Sequence, residues 1–436
     1  MKTKSQLNTI GFVSLGCSKN LIDSEQLTRQ IEASHIKVIF DPERISGYDT
    51  VIINTCGFIG DAKQESINTI LQFVEAKRNG YVSRVFVIGC LSQRYRQQLE
   101  IEIPEVDAFY GVNEMEQIIR KIGGHYKKEL IGERSITTLS HYEYLKISEG
   151  CTRKCSFCAI PLIRGKHISK PIENILNESK FLIKSGVKEI NLISQDTAYY
   201  GIDLYHEKKL PELVENLALL PGLEWLRIHY VFPDGFPMKV LDIMNRHTNI
   251  CKYLDIPLQH INDRILKSMH RNITADKTKK LIDTIRHKVP GIGLRTTLMV
   301  GYPGETDKEF KELLNFVNEY KFDRLGVFNY SHEENTKAFS LIDNVPEKVK
   351  QQRADEIMDA QGAISYQLNM LKVGKTIKVL VDRISETGYI ARSEMDSPEV
   401  DNEIMIKKSF TDPEPGQFCE VKIIGSEDFD LYAEMV

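Results

Sequence analysis

Two periodicities alternate along most of the chain. Continuous apolar runs at residues 10–15, 51–53 and 85–88 read as buried strands, and amphipathic stretches such as 23–33 and 61–77 read as helices between them. Strand and helix in turn over residues 7–125 predict an open, mostly parallel α/β sheet. A second alternation fills residues 137–368. Six strands are expected there, at 144–148, 189–194, 225–230, 253–256, 293–300 and 324–330, with helices such as 171–185, 276–288 and 307–320 between them. Six βα units make an incomplete barrel rather than the closed eightfold one. Pro346 suits the start of a long helix that runs to about residue 371. Residues 371–436 change character. The runs 377–381, 388–391, 403–406 and 419–424 are short, strand-like and separated by turn residues, which predicts a small antiparallel β-barrel or sandwich.

Three domains fit a chain of 436 residues, which is too long for one ordinary domain. With 42% hydrophobic and 27% charged residues the balance is that of a globular protein, and the net charge of −4 gives no overall attraction to nucleic acid. No apolar run reaches the ~18 residues of a membrane span, and the polar residues 1–8 lack the apolar segment of a secretory signal. A cytoplasmic enzyme is expected. The eight cysteines, Cys17, Cys56, Cys90, Cys151, Cys155, Cys158, Cys251 and Cys419, then point to metal binding or catalysis rather than to a disulfide framework.

Three of them are packed into Cys151-Thr-Arg-Lys-Cys155-Ser-Phe157-Cys158, directly after an expected strand. A loop of that length folds three sulfurs around one cubane cluster and leaves one iron open. A zinc knuckle is the alternative. Structural zinc takes four closed ligands, usually as two pairs, and the next candidate, His167, stands alone nine residues on. The CxxxCxxC spacing with an aromatic before the last cysteine resembles the radical S-adenosylmethionine (SAM) superfamily. The resemblance implies a [4Fe–4S] cluster whose open iron chelates SAM, and a radical that takes hydrogen from unactivated carbon. That chemistry is borne by the cluster, so no side chain is expected as catalytic acid or base. Ser194, Gln195 and Asp196 end the second barrel strand, and Gly301, Pro303 and Gly304, within Gly301-Tyr-Pro-Gly-Glu305, follow the fifth. Ligands bind at such strand ends and glycine admits close backbone approach. SAM contact is therefore expected of these six and of Phe157, with ordinary βα turns as the alternative.

Cys17, Cys56 and Cys90 are far apart in sequence, yet each lies just past an expected strand and beside a glycine: Gly16, Gly57 or Gly89. In a parallel sheet those ends converge on the ligand edge. A lone cysteine there would be a small buried hydrophobe, but three at equivalent places suggest a shared ligand. The segments Ser14-Leu-Gly-Cys17-Ser-Lys-Asn20 with Asp23-Ser-Glu25, Asn54-Thr-Cys56-Gly-Phe58 and Gly89-Cys90-Leu91 resemble the methylthiotransferase family of radical SAM enzymes. The likeness spans the chain, the last domain being similar to a TRAM domain. It implies a second [4Fe–4S] cluster on Cys17, Cys56 and Cys90. One SAM would methylate a sulfur there, and a second would yield the radical that prepares the substrate carbon. A metal-free N-terminal docking domain, or a zinc adaptor without activity, remain the alternatives. Cys251 and Cys419 match no ligand position and read as packing residues.

The family divides between an adenosine in transfer RNA and the β-carbon of an aspartate in the twelfth protein of the small ribosomal subunit, the RimO-type group. Residues 372–436 hold eight Lys and Arg against fourteen Asp and Glu, a balance of −6. That suits a basic ribosomal protein better than phosphate, unless the acids serve solubility alone. Cys17-Ser-Lys-Asn and Cys56-Gly-Phe-Ile also resemble the ribosomal-protein group, whereas the RNA-modifying group typically has Gln-Met after the first cysteine. The resemblance thus implies a ribosomal-protein substrate, with an electron donor and a sulfur donor as further partners, and transfer RNA as the weaker alternative. Lys19, Asn20, Asp23, Glu25, Arg153 and Lys154 are conspicuous but carry no assigned role: the acids could favour a helix N-terminus, and Lys19 could steady a cluster or be solvated.

Overall fold

The computed structural model describes residues 9–408 and 413–436. Residues 1–8, including the expected start of the first domain, and Asp412 lie outside the described residues. The first sheet is all parallel, in the order β2-β1-β3-β4-β5, from β1 (Thr9–Ser14), β2 (Lys37–Phe40), β3 (Thr50–Thr55), β4 (Arg84–Gly89) and β5 (Ala108–Phe109). Residues of β3 are buried throughout, as a strand covered on both faces requires. One face packs Val51, Ile53, Val85 and Val87 under helices Gly60–Arg78 and Cys90–Glu102. The other packs Phe12, Ile52 and Phe86 under helices Ser18–Glu32 and Met115–Lys121.

The central domain begins with β6 (Tyr142–Lys146) and a small ribbon of β7 (Ser148–Glu149) with β8 (Ile168–Ser169). Then follow β9 (Glu189–Ile193), β10 (Trp225–Ile228), β11 (Ile250–Asp255), β12 (Gly293–Val300) and β13 (Arg324–Asn329). They form a parallel six-stranded sheet in the order β13-β12-β11-β10-β9-β6. This is the incomplete barrel expected from six βα units. Its helices are set by local chemistry: Thr306 and Glu309 form a reciprocal capping box on Asp307–Tyr320, and Pro346, with φ −59°, stands immediately before Glu347–Met370.

The last domain is a closed five-stranded barrel of β14 (Thr376–Ile384), β15 (Gly388–Ser393), β16 (Ile404–Lys407), β17 (Phe418–Ser426) and β18 (Leu431–Met435). Four of its pairings are antiparallel and the fifth, β16 with β18, is parallel. Cys251 lies inside β11 and packs with Trp225, Tyr253 and Leu380; Cys419 packs against the small barrel's core. Among the described residues no helix is long and apolar enough to cross a membrane.

The acidic balance of this barrel is not a surface property, which corrects the electrostatic argument for its partner. Residues 393–401 enter the open barrel from the amino ends of its strands. Asp396 pairs with Arg324, Asp401 bonds Arg295 and Tyr253 at 2.9 and 2.8 Å, and Glu399 accepts from Tyr142 and Tyr144 at 2.8 and 3.1 Å. Asp382 is held between His141 and Arg392. Among the described residues 372–436, six exposed bases (Lys375, Lys378, Arg383, Lys407, Lys408, Lys422) face seven exposed acids, Glu399 among them. Asp396 and Asp401 are spent on arginines of the central domain and Asp382 on Arg392 of the barrel itself, and the charge of the exposed residues is close to even.

Candidate active site

Cys17, Cys56 and Cys90 follow β1, β3 and β4, the three adjacent inner strands of the first sheet, at their carboxyl ends. The turn at Gly16 has φ +93° and lies so close that a Cβ there would stand 2.8 Å from the Cys56 Cβ. At Gly89, φ is +95° and a Cβ would stand 2.1 Å from Asn54 Oδ1. Asn20 ties the three ends together. Its Nδ2 donates to the carbonyls of Leu15 and Thr55 at 3.0 and 3.1 Å, and its Oδ1 accepts from the Cys90 thiol at 3.4 Å and from Arg164. Asn54 in turn donates to the Asn20 carbonyl and to Ser24 Oγ.

The second triad is on the loop after β7. Ser156, between Cys155 and Phe157, anchors it through its N–H to the Met269 carbonyl (3.0 Å) and its hydroxyl to Tyr302 (2.8 Å). Arg153 bonds Asp196 at 2.7 Å, and Arg271 reaches to 3.9 Å from Cys155 Sγ. Both guanidiniums flank the Phe232 ring at 4.1 Å. Cations beside a thiolate cluster offset its negative charge. Lys154 is exposed.

Both triads open onto one interface. Cys90 packs with Ala159 and Ile163, which follow Cys158, and Arg164, only 2% exposed at its side chain, brings Nη2 to 3.5 Å from Cys90 Sγ. Arg164 also pairs with Asp23 at 2.8 Å and Glu149 at 3.1 Å; Lys146 pairs with the same two acids, and Gln195 donates to Glu149 at 3.2 Å. Burial alone would raise the Glu149 carboxyl, but Lys146 and Arg164 hold it at about 2. A chain of charge and hydrogen bonds thus runs from Cys90 to the end of β9. Asp23 and Glu25, whose sequence position suggested helix-terminus charges, instead join the domains, Glu25 through the buried Arg134 at 3.0 Å.

The unpartnered buried polar groups at the end of β9 fit a polar ligand such as SAM, while among the described residues no three His, Cys, Asp or Glu side chains are closed around a single metal ion. Burial pushes Cys90 up to about 12 and Cys151 up to about 11, and raises Cys56 and Cys158 as well. Thiols so placed stay protonated until a metal displaces the proton. Ser194 Oγ, Gln195 Oε1 and Asp196 Oδ1, together with Ser148 Oγ, are buried and have no hydrogen-bond partner among the described residues, as a site shaped for a polar ligand leaves them. Phe157 packs beside Met269 and Tyr302. Gly301 (φ +73°) has an internal reason to be glycine: a Cβ would lie 2.2 Å from Lys350 Cγ. Pro303 is buried and Gly304 lies at φ +81°, within a turn closed by Glu305, which bonds His260, Arg353 and the Gly301 N–H. The glycine pattern at 301–304 is thereby accounted for by the fold, and only the backbone there is left to face a ligand.

Residues 145–317 match the Radical SAM superfamily, residues 9–111 the Uncharacterized protein family UPF0004 and residues 373–436 the TRAM domain. The chain is 53% identical to the "Ribosomal protein uS12 methylthiotransferase RimO" of Flavobacterium psychrophilum, covering 100% of each chain. It is 52% identical to the protein of the same name from Bacteroides thetaiotaomicron, covering 98% of each. Among solved structures it resembles the radical SAM methyltransferase TsrM from Kitasatospora setae, with a TM-score of 0.54 at 12% identity over 74% of this chain and 75% of that one. It also resembles the cobalamin-dependent radical enzyme OxsB, with a TM-score of 0.53 at 14% identity over 82% of this chain and 56% of that one. At such identity these two speak for the fold alone.

Proposed function

This chain belongs to the radical SAM methylthiotransferases of the RimO family, and on that premise we propose that it transfers a methylthio group to the β-carbon of an aspartate in ribosomal protein uS12. Cys151, Cys155 and Cys158 hold the [4Fe–4S] cluster that binds SAM, and Cys17, Cys56 and Cys90 hold the second. When bound, these groups supply a carbon-centred oxidant and an activated methylthio group. The chain supplies placement. Asn20 fixes the three strand ends of the first triad, Arg164 joins that triad to the second, and Arg153 and Arg271 balance charge beside Cys155. Phe157, Ser194, Gln195 and Asp196, with the backbone of Gly301, Pro303 and Gly304, line the SAM side.

The observation that carries this reading is the shared interface. Arg164 contacts Cys90 while sitting on the helix that follows Cys158, so the two halves of the reaction face one space. A metal-free docking domain has no need of a cysteine bound into that contact with two more at the neighbouring strand ends. Reduction needs an external electron donor, and turnover needs a source of sulfur; the substrate is made in the cytoplasm, where the enzyme would act. The test is mass spectrometry of products from anaerobically reconstituted enzyme with SAM, sulfide and reductant, offered uS12 and transfer RNA in parallel. A methylthio gain on the uS12 aspartate is expected, and it should vanish in a Cys17→Ala, Cys56→Ala, Cys90→Ala triple variant. A gain on RNA alone overturns the substrate; transfer by the triple variant overturns the role of the first triad.

A further inference from the structure

Resting on that function, we infer that Lys19 is the residue that binds the carboxylate of the substrate aspartate. It stands two positions after Cys17, in the first turn of helix Ser18–Glu32, and only 9% of its surface is exposed. Its ammonium lies 3.5 Å from the centroid of the Tyr230 ring, at the carboxyl end of β10. Tyr230 has φ +55°, a left-handed conformation that costs a bulky side chain and recurs where a site needs it. Two residues on, Phe232 packs between Arg153 and Arg271, which borders Cys155. Lys19 therefore looks across the interface from the first triad toward the second.

It has no acid partner within ion-pair distance among the described residues, a lack it shares with Arg271, which donates to the Pro257 carbonyl and lies beside Cys155. Other cations nearby are taken: Arg153 by Asp196 and Asp234, Arg164 by Asp23 and Glu149, Lys146 by the same pair, Arg295 by Asp401. Among the described residues no carboxylate comes within ion-pair distance of Lys19. The nearest element that could offer one ends in Asp255, whose Oδ2 accepts from the Tyr230 N–H at 3.2 Å and whose Oδ1 faces Arg295 at 3.9 Å. A buried ammonium on an aromatic face, with Asp255 acting on it only from beyond ion-pair distance, is poorly compensated and favours an incoming anion. The substrate's reacting carbon is bonded directly to a carboxylate, which must itself leave water to reach the cleft. Each buried charge satisfies the other, and the pairing places the β-carbon between the triads. A nucleobase offers no such anion.

The test uses reconstituted holoenzyme with SAM and measures binding by fluorescence anisotropy of labelled uS12, with its target aspartate or with asparagine in its place. Lys19→Gln should weaken binding of the aspartate form roughly 10- to 100-fold, the range of a charge-assisted hydrogen bond. Lys19→Arg should recover part of that loss, and both variants should bind the asparagine form as the wild type does. Unchanged binding of the aspartate form overturns the inference. So does equal weakening for both forms, which would assign Lys19 to the cluster or the fold; iron content read in the same samples tells which. Wild-type methylthiolation is assayed alongside. Its absence brings down the proposed function and this inference together, whereas its presence without discrimination by Lys19→Gln brings down the inference alone.

Discussion

Asn20 makes four side-chain contacts: three lead to the ends of strands that carry cysteines, and the fourth is to Arg164 on the helix after Cys158. Replacing it by alanine leaves the carbonyls of Leu15 and Thr55 and one hydrogen-bonding group of Arg164 unsatisfied, at a cost of about 2–3 kcal/mol. The loss is local to the first triad. Asn20→Ala is therefore expected to fall from about eight irons per chain to about four, read by iron analysis, while SAM-binding iron on the second triad persists. The cysteines themselves were legible in the sequence because a cluster demands one residue type at constrained places. Lys19, Asn20 and Asp23 stood out only by lying beside Cys17. Arg164, Glu149, Ser148 and Tyr230 gave no such signal. Arg164 meets Cys90 across 74 residues and Asn20 across 144, a proximity that only the docked domains create. The hint available was a pair of charges, Lys146 and Glu149, inside an otherwise buried run.

At the scale of elements, helix Ser18–Glu32 does more than cover its own sheet. Leu21 and Ile22 pack against Tyr142, Tyr144, Ile193 and Tyr230 of the central barrel, and Asp23 and Glu25 ion-pair into it. This face reads as an ordinary amphipathic stripe in sequence, since a stripe reports burial but not the burying surface. Strands fared likewise. Those buried on both faces declared themselves as apolar runs, whereas the edge strands Lys37–Phe40 and Ala108–Phe109, and Leu431–Met435 of the closed barrel, were too short or too mixed to do so. The helix also sets a pH response. Arg134 is fully buried between Glu25, Glu143 and Glu178. Burial pushes the Glu143 carboxyl up to about 7, against the pull of Arg134. A carboxyl raised above its unfolded value folds with a proton bound. Its contribution is intact below about 4.5 and is lost as pH rises through about 7. Anaerobic thermal melts should accordingly show Glu143→Gln matching the wild type near pH 4.5 and gaining on it as pH approaches 7. A gap that is flat with pH would mean the proton sits elsewhere in the cluster of three acids.

For the whole molecule, the small barrel serves as the floor of the large one. Arg227, buried at the centre of the open barrel, bonds Glu189 at 3.0 Å and the Glu394 carbonyl at 2.6 Å, and Arg392 completes Glu189 from the other side at 2.8 Å. An open barrel of six strands leaves its lumen exposed, and here arginines and tyrosines fill it and receive the acids of residues 393–401. Charge counting by segment could not see this, because it treats every acid as outward. The consequence for binding is that association with uS12 should depend only weakly on salt through this domain; neutralising Glu427 and Asp428 should change its affinity less than about threefold, in titrations at low and moderate ionic strength. The consequence for folding is larger. If the two barrels share one buried ionic interface, they cannot unfold separately without stranding Arg295 and Arg324 in a low-dielectric lumen. Calorimetry of the full chain should show them melting in one transition. Asp396→Ala, which leaves Arg324 buried without its acid, should lower that transition as a whole, with a loss of about 3–5 kcal/mol. Glu427→Ala, on the exposed side, should shift stability by under ~0.5 kcal/mol. Two transitions, with only the smaller one moved by Asp396→Ala, would instead describe an appended module, and would return residues 393–401 to the role of a loop that happens to fit.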